Sequence, residues 1–149
     1  MWFINEIMPN ILIKNKNIKL YVAGSYPPQE LINSANKNII IKGFVSDAEL
    51  DDLYNSVKMV VAPLRFGAGI KGKVVEAMSK GVPVYTTICG AEGIDCESLI
   101  VDDTFNDLAD IYLDNEKLNE LSNNLISYAK DNYSEISAKE RFSDEMKKM

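Results

Sequence analysis

The sequence predicts an α/β domain over residues 1–149, a doubly wound parallel sheet of about five strands with helices on both faces. Three observations predict it. Short Val- and Ile-rich runs recur along the chain, they scarcely alternate between apolar and polar residues, and helical patterns separate them. Strands buried on both faces read this way, because both sides of the pleat meet helices.

Taken in order, the first element is helical. Phe3, Ile4, Ile7 and Ile11 fall at helical spacing, and Pro9 is expected to kink or end that helix. A doubly wound unit normally opens with a strand, so the expected first strand lies upstream of this helix. The strand runs are Ile18–Ala23, Ile39–Lys42, Met59–Ala62, Val82–Thr86 and Leu99–Val101, with helices near Pro28–Ser34, Asp47–Ser56 and Gly72–Lys80. Ser46 and Glu49 have the spacing of a capping box. Gly81 sits where a helix stop belongs, with Pro83 after it. Beyond Asp103 the pattern is helical to the end, and Leu118, Leu121, Leu125 and Tyr128 form one stripe. Without an upstream strand, Ile18–Ala23 and Met59–Ala62 would expose sheet edges. They are expected either to pair directly or to be covered by another chain, which allows self-association through the exposed edge.

Composition narrows the function. The 149 residues are 46% hydrophobic and 26% charged, as in soluble globular proteins, and no apolar run approaches the ~20 residues of a membrane span. The start, MWFINEIMPN, lacks the cationic region and cleavage site of a signal peptide. A net charge of −6 argues against a nucleic-acid partner, since phosphate neutralisation dominates such binding. Cys89 and Cys96 read as two reduced thiols. With no histidine in the chain, zinc sites and Ser-His or Cys-His catalysis are poorly served.

The chemistry concentrates in LRFGAGIKGKVVEAMSKGVPV, which follows the Met59–Ala62 strand and opens a helix. Gly67, Gly69 and Gly72 spell GxGxxG, and Gly67 through Lys73 spell GxxxxGK. In both patterns glycines let the backbone approach an anion, and amides at a helix N-terminus point at it. As a P-loop the segment lacks the hydroxyl that holds magnesium, because Val74 follows Lys73. As a dinucleotide fingerprint it is misplaced, since that motif belongs to the first βα turn. Glu92 stands 20 residues after Gly72, near the ribose-binding spacing, but Gly90 and Gly93 mark its surroundings as loop. Lys73 and Glu76 project from one helix face, roughly 5–6 Å apart at Cβ. A phosphate at the helix tip would bring its ribose over Glu76; the alternative is a plain i,i+3 ion pair. Val75 and Met78 read as core.

This stretch, VAPLRFGAGIKGKVVEAMSKGVPVYTT, with LYVAGS at Leu20–Ser25, IIIKGFV at Ile39–Val45 and GAEG at Gly90–Gly93, resembles the group 1 glycosyl transferases, the retaining family 4. The resemblance covers nearly the whole chain. It implies a GT-B fold of two Rossmann-like domains, of which this chain resembles the second, donor-binding one, with the acceptor domain absent. It implies a UDP- or GDP-sugar donor, no required metal or other cofactor, and a glycan or lipid-linked acceptor held by the missing domain. Hexosyl transfer in polysaccharide biosynthesis follows, in the cytoplasm or at the inner membrane face.

Carried over by position, Glu76 would bind the ribose hydroxyls. Lys73, with Arg65, would act on the diphosphate. Gly67, Ala68, Gly69 and Ile70 would meet diphosphate and sugar through the backbone, Gly24 and Ser25 would lie close to the donor, and Phe44 and Val45 where the base packs. Ala68 stands eight residues before Glu76, where many members carry a first glutamate; resemblance to the subgroup with a GAGIKGK-like loop implies that backbone donors would serve in place of that carboxylate. Two other readings stay open: a nicotinamide-dependent oxidoreductase, from the literal GxGxxG, and a non-catalytic or degenerate fragment.

Overall fold

In the computed structural model, which describes residues 1–133, a π-helical turn at Phe3–Ile7 runs directly into α1, Met8–Lys14. Then follow β1 (Leu20–Ala23), α2 (Gln29–Asn33), β2 (Ile39–Gly43), α3 (Asp47–Ser56), β3 (Val60–Ala62), α4 (Gly72–Ser79), β4 (Val84–Thr86), β5 (Ile100–Val101), α5 (Leu108–Leu113) and α6 (Asn115–Tyr133). Every strand and helix expected from the sequence is present within a few residues. The helical pattern expected to the chain end is α5 and α6 as far as Tyr133; its remainder lies outside the described residues.

All ladders are parallel. The five strands divide, however, into β1-β2 and β3-β4-β5, rather than forming one ladder. In the first ladder β1 pairs with β2, and in the second β3 pairs with β4. The described residues cluster as two compact units, Met1–Ser56 with Thr104–Asp110, and Val57–Asp103 with the chain from Ile111.

In the first unit Pro9 does not stop the helix. It occupies the first turn of α1, where its missing N–H costs no bond, and the preceding turn is π-helical, with the Met8 N–H bonding Phe3 O. Phe3, Met8 and Ile11 are buried. Phe105 packs edge-to-face on Phe3 and Trp2 at centroid distances of 5.1 and 6.1 Å. Lys14 Nζ donates to Asn106 O at 3.0 Å and pairs with Asp110 at 3.3 Å. The buried Asn38 donates to the carbonyls of Lys16 and Ile18, tying the approach to β1 to the start of β2. The expectation of burial on both faces fails for β1, whose residues alternate in exposure and leave Tyr21 at the surface. Ser46 and Glu49 form the expected reciprocal cap on α3, at 2.7 and 3.2 Å.

In the second unit β4 is buried throughout, and Tyr85 donates to Asp102 at 3.1 Å. Helix α4 buries Val74, Ala77 and Met78, an i, i+3, i+4 stripe. Val75, expected in the core, is half-buried because it lies a hundred degrees of helix rotation from Val74. Leu118, Leu121 and Leu125 are buried along α6, as the stripe predicts, with Tyr128 half-buried. Helices α4 and α6 pack together. Gly81 ends α4 at φ +72°, and a Cβ there would lie 2.5 Å from Ile126 Cδ1. That glycine therefore serves both the helix stop and the close approach to α6.

Candidate functional site

Strands β3 and β4 are parallel neighbours paired Val60↔Val84 to Ala62↔Thr86, so the segments leaving their C-terminal ends rise side by side. In open α/β sheets this is the end at which ligands bind. The segment after β3 carries Arg65 through Lys71 into the N-terminus of α4, and the segment after β4 carries Thr87 through Gly93.

Two glycines of the first segment are required by the backbone. Gly67 has φ +113° and Gly69 φ +81°, conformations that L side chains rarely adopt. The carbonyls of both glycines are held. Cys89 Sγ lies 3.7 Å from Gly67 O, and Lys71 Nζ donates to Gly69 O at 2.7 Å. Each peptide is planar and trans, so its N–H points opposite to its C=O. The amides of Ala68 and Ile70 therefore face away from Cys89 and from the Lys71 ammonium. Loop amides turned outward ahead of a helix N-terminus are groups that can receive an anion.

Helix α4 begins immediately afterwards, and its N-cap, Lys71, makes no side-chain cap hydrogen bond. The first amides of a helix have no intrahelical partner and carry the positive end of its dipole. Gly72 has an ordinary φ and nothing within 4 Å of a built Cβ, so neither backbone nor packing asks for glycine there. Lys73 is exposed and pairs with Glu76 at 3.2 Å, the i,i+3 pair weighed from the sequence.

The segment after β4 buttresses this loop. A Cβ on Gly90 would lie 1.9 Å from Thr86 Oγ1, so that turn sits directly on the end of β4. Thr86 Oγ1 donates to Ala62 O at 2.8 Å, Thr87 Oγ1 donates to Leu64 O, and the Gly90 amide donates to Thr87 Oγ1 at 3.1 Å. Gly93 has φ +77° and carries Ile70 close against it. Glu92 pairs with Lys71 at 3.5 Å. Glu92 is thus a partner of the glycine loop, which explains its place between two glycines better than a ribose spacing does.

The structure brings Arg65, Gly67, Ala68, Gly69, Ile70, Lys73 and Glu76 together in the second unit, with Arg65 exposed. Gly24, Ser25, Phe44 and Val45 belong to the first unit. There the Gly24 amide donates to Gly43 O at 2.8 Å and the β1–β2 register ends at Ala23↔Gly43, so the two turns lie side by side. Phe44 is 75% exposed, an unusual state for a phenylalanine beside a strand end. Tyr26, next to Ser25, is exposed and left-handed at φ 52°.

Lys71 was missed as a site residue, since two lysines flank Gly72 and only the fold shows which one is drawn in. The signal available was the acidic Glu92 inside GAEG, an opposite charge in a neighbouring glycine turn. Among the described residues no group of three or more His, Cys, Asp or Glu could hold a metal ion. No described helix is long and apolar enough to cross a membrane.

A family model described as "Glycosyl transferases group 1" matches residues 1–115. A Klebsiella pneumoniae protein described as an uncharacterized 44.6 kDa protein in the cps region is 31% identical over 100 residues, 62% of this chain and 26% of that protein. Among solved structures, Anabaena Alr3699/HepE in complex with UDP-glucose aligns with a TM-score of 0.72 at 15% identity. That alignment covers 97% of this chain and 46% of the Anabaena chain, and at such identity it speaks to the fold. The chain spans less than half the length of either protein.

Proposed function

Since the chain belongs to the group 1 glycosyl transferases, we propose that it is the donor-binding part of a retaining hexosyltransferase that takes a UDP- or GDP-sugar. The observation that carries this reading is the loop itself: two positive-φ glycines with held carbonyls, so that the Ala68 and Ile70 amides turn outward, leading into the uncapped N-terminus of α4. The nucleoside diphosphate sits on the Ala68 and Ile70 amides and the first amides of α4, with Gly72 leaving room for it. Lys73 turns from Glu76 to the diphosphate, and Glu76 accepts hydrogen bonds from the ribose hydroxyls. An exposed ion pair is worth about 0.2–1 kcal/mol, less than the ~1.5–3 kcal/mol of a hydrogen bond to a charged group, so the exchange is favourable. Arg65, exposed on the same segment, completes the donor contacts of this unit.

In transfer, the bond from the anomeric carbon to the β-phosphate oxygen breaks. The acceptor hydroxyl oxygen bonds that carbon on the same face, and its proton passes to the departing diphosphate. Lys73, the loop amides and the α4 dipole stabilise the negative charge that develops there, so no divalent metal is required. The acceptor, a glycan or lipid-linked glycan, is held by a further domain, and β3, which ends its three-stranded ladder, is the edge through which a second copy would associate. The setting is polysaccharide biosynthesis in the cytoplasm; the relative from a cps region supports the first of these.

Calorimetric titration with UDP, GDP, uridine and reduced nicotinamide dinucleotide tests the reading. Saturable binding of a nucleoside diphosphate, tighter than uridine, is expected. A folded chain that binds only the nicotinamide dinucleotide, or none of the four, overturns it.

A further inference from the structure

We infer that Lys71 is the positioning residue of the glycine loop, clamped between Gly69 and Glu92 so that the Ile70 amide is aimed before any ligand arrives. The inference rests on the donor-binding reading for its consequence, though not for its geometry. Lys71 differs from Lys73 two residues on: its side chain is 14% exposed against 81%. A lysine so covered needs partners for its ammonium, and it has the Gly69 carbonyl at 2.7 Å and the Glu92 carboxylate at 3.5 Å. Holding Gly69 O fixes the peptide plane, and with it the Ile70 N–H on the opposite side.

Glu92 is itself held in place. Gly90 is seated on Thr86, and Gly93 takes the left-handed turn that lets Ile70 approach. The clamp therefore links two segments 21 residues apart and transmits the rigidity of the β4 end to a loop whose glycines would otherwise sample many conformations. Preorganised donors of this kind raise affinity by removing the cost of ordering them on binding. In this account Lys71 is not a phosphate ligand, and its side chain makes no cap hydrogen bond at the N-cap position it occupies. It acts on the donor through the Ile70 amide.

The test uses the whole chain with Lys71→Met, Lys71→Arg, Glu92→Gln and the Lys71→Met/Glu92→Gln double variant, each titrated with UDP and GDP and followed by amide hydrogen exchange over residues 67–72. Lys71→Met and Glu92→Gln are each expected to weaken diphosphate binding about fivefold, the scale of losing a partly exposed charged contact. The double variant should be no weaker than the worse single one, and Lys71→Arg should restore most of the affinity. Melting temperatures should stay close to the parent, which separates positioning from general stability.

If Glu92→Gln leaves the affinity unchanged or raises it while Lys71→Met lowers it, Lys71 meets the phosphate directly and the clamp is refuted. Should Lys71→Met fail to fold, Glu92→Gln carries the test alone. Were the parent chain to bind no nucleoside diphosphate, the donor reading would fall. Exchange over 67–72 would still decide the clamp, faster in Lys71→Met and Glu92→Gln if it exists and unchanged if it does not.

Discussion

Lys73 Nζ donates to Glu76 Oε2 at 3.2 Å, one turn along α4, with the lysine 81% exposed and the glutamate 36%. The pair closes the helix tip to no one. Both side chains reach water, and each can exchange its partner for a ligand group of the complementary kind. What each contributes is separable by choice of ligand.

Glu76→Ala should weaken nucleoside diphosphate binding by roughly 1–3 kcal/mol, the range for losing a charge-assisted hydrogen bond to the ribose. Loss of the solvent-exposed pair with Lys73 should itself change the melting temperature little. Calorimetry with UDP and GDP reads the first and a thermal melt the second. An unchanged dissociation constant in a folded variant removes Glu76 from the ribose.

For Lys73→Ala the loss should fall on diphosphates and spare the bare nucleosides, because an ammonium at a helix tip acts on phosphate charge. Parallel titrations with UDP and uridine separate the two. Equal losses for both ligands would mean that Lys73 supports the loop and does not touch phosphate.

The glycines of the loop should divide by conformation. Gly69→Ala forces a side chain into φ +81°, at a cost of order 1–3 kcal/mol, and should lower stability and binding together. Gly72→Ala meets nothing within 4 Å and gains helix propensity of up to ~1 kcal/mol, so the fold should be as stable or more so. Its diphosphate affinity should nonetheless fall, because the new methyl group stands where the phosphate approaches. A Gly72→Ala variant with full affinity would show that the space at Gly72 is not used.

Binding of UDP or GDP should be indifferent to EDTA and to added magnesium or manganese. The charge on the diphosphate is met by Lys73, the loop amides and the α4 dipole. A tenfold or greater drop in affinity with EDTA would sink the metal-free account.

Much of this was legible in the residues themselves. The Ser46–Glu49 box formed as its spacing indicated, and Gly81 stopped α4 where the pattern broke. The N-terminal helix is legible too, and of the two effects expected of Pro9, a kink or an end, the end does not occur: a π-helical turn before it and a place in the first turn of α1 let the helix continue. The sequence pattern marks Gly67 and Gly69 as loop glycines, and both have positive φ. Val75 was assigned to the core where Val74 is, an error of one residue, since both are Val and only the packing of α4 on its neighbours selects the buried stripe.

The order and type of the elements, the parallel strands and the glycine loop ahead of a helix were determined by the sequence alone. These features follow from periodicity, caps and backbone preference, which act between residues a few positions apart. Three things were decided only by the tertiary structure: the division of five strands into two ladders, the half-exposed face of β1, and the choice between Lys71 and Lys73 as the drawn-in lysine. Each depends on a partner distant in sequence: β2 for β1, β4 for β3, Glu92 for Lys71. Local pattern can show that Lys71 and Lys73 are both cations on a glycine loop. Only the arrival of Glu92, on a turn seated by Gly90 against Thr86, makes one of them a clamp and leaves the other free to face solvent and pair with Glu76.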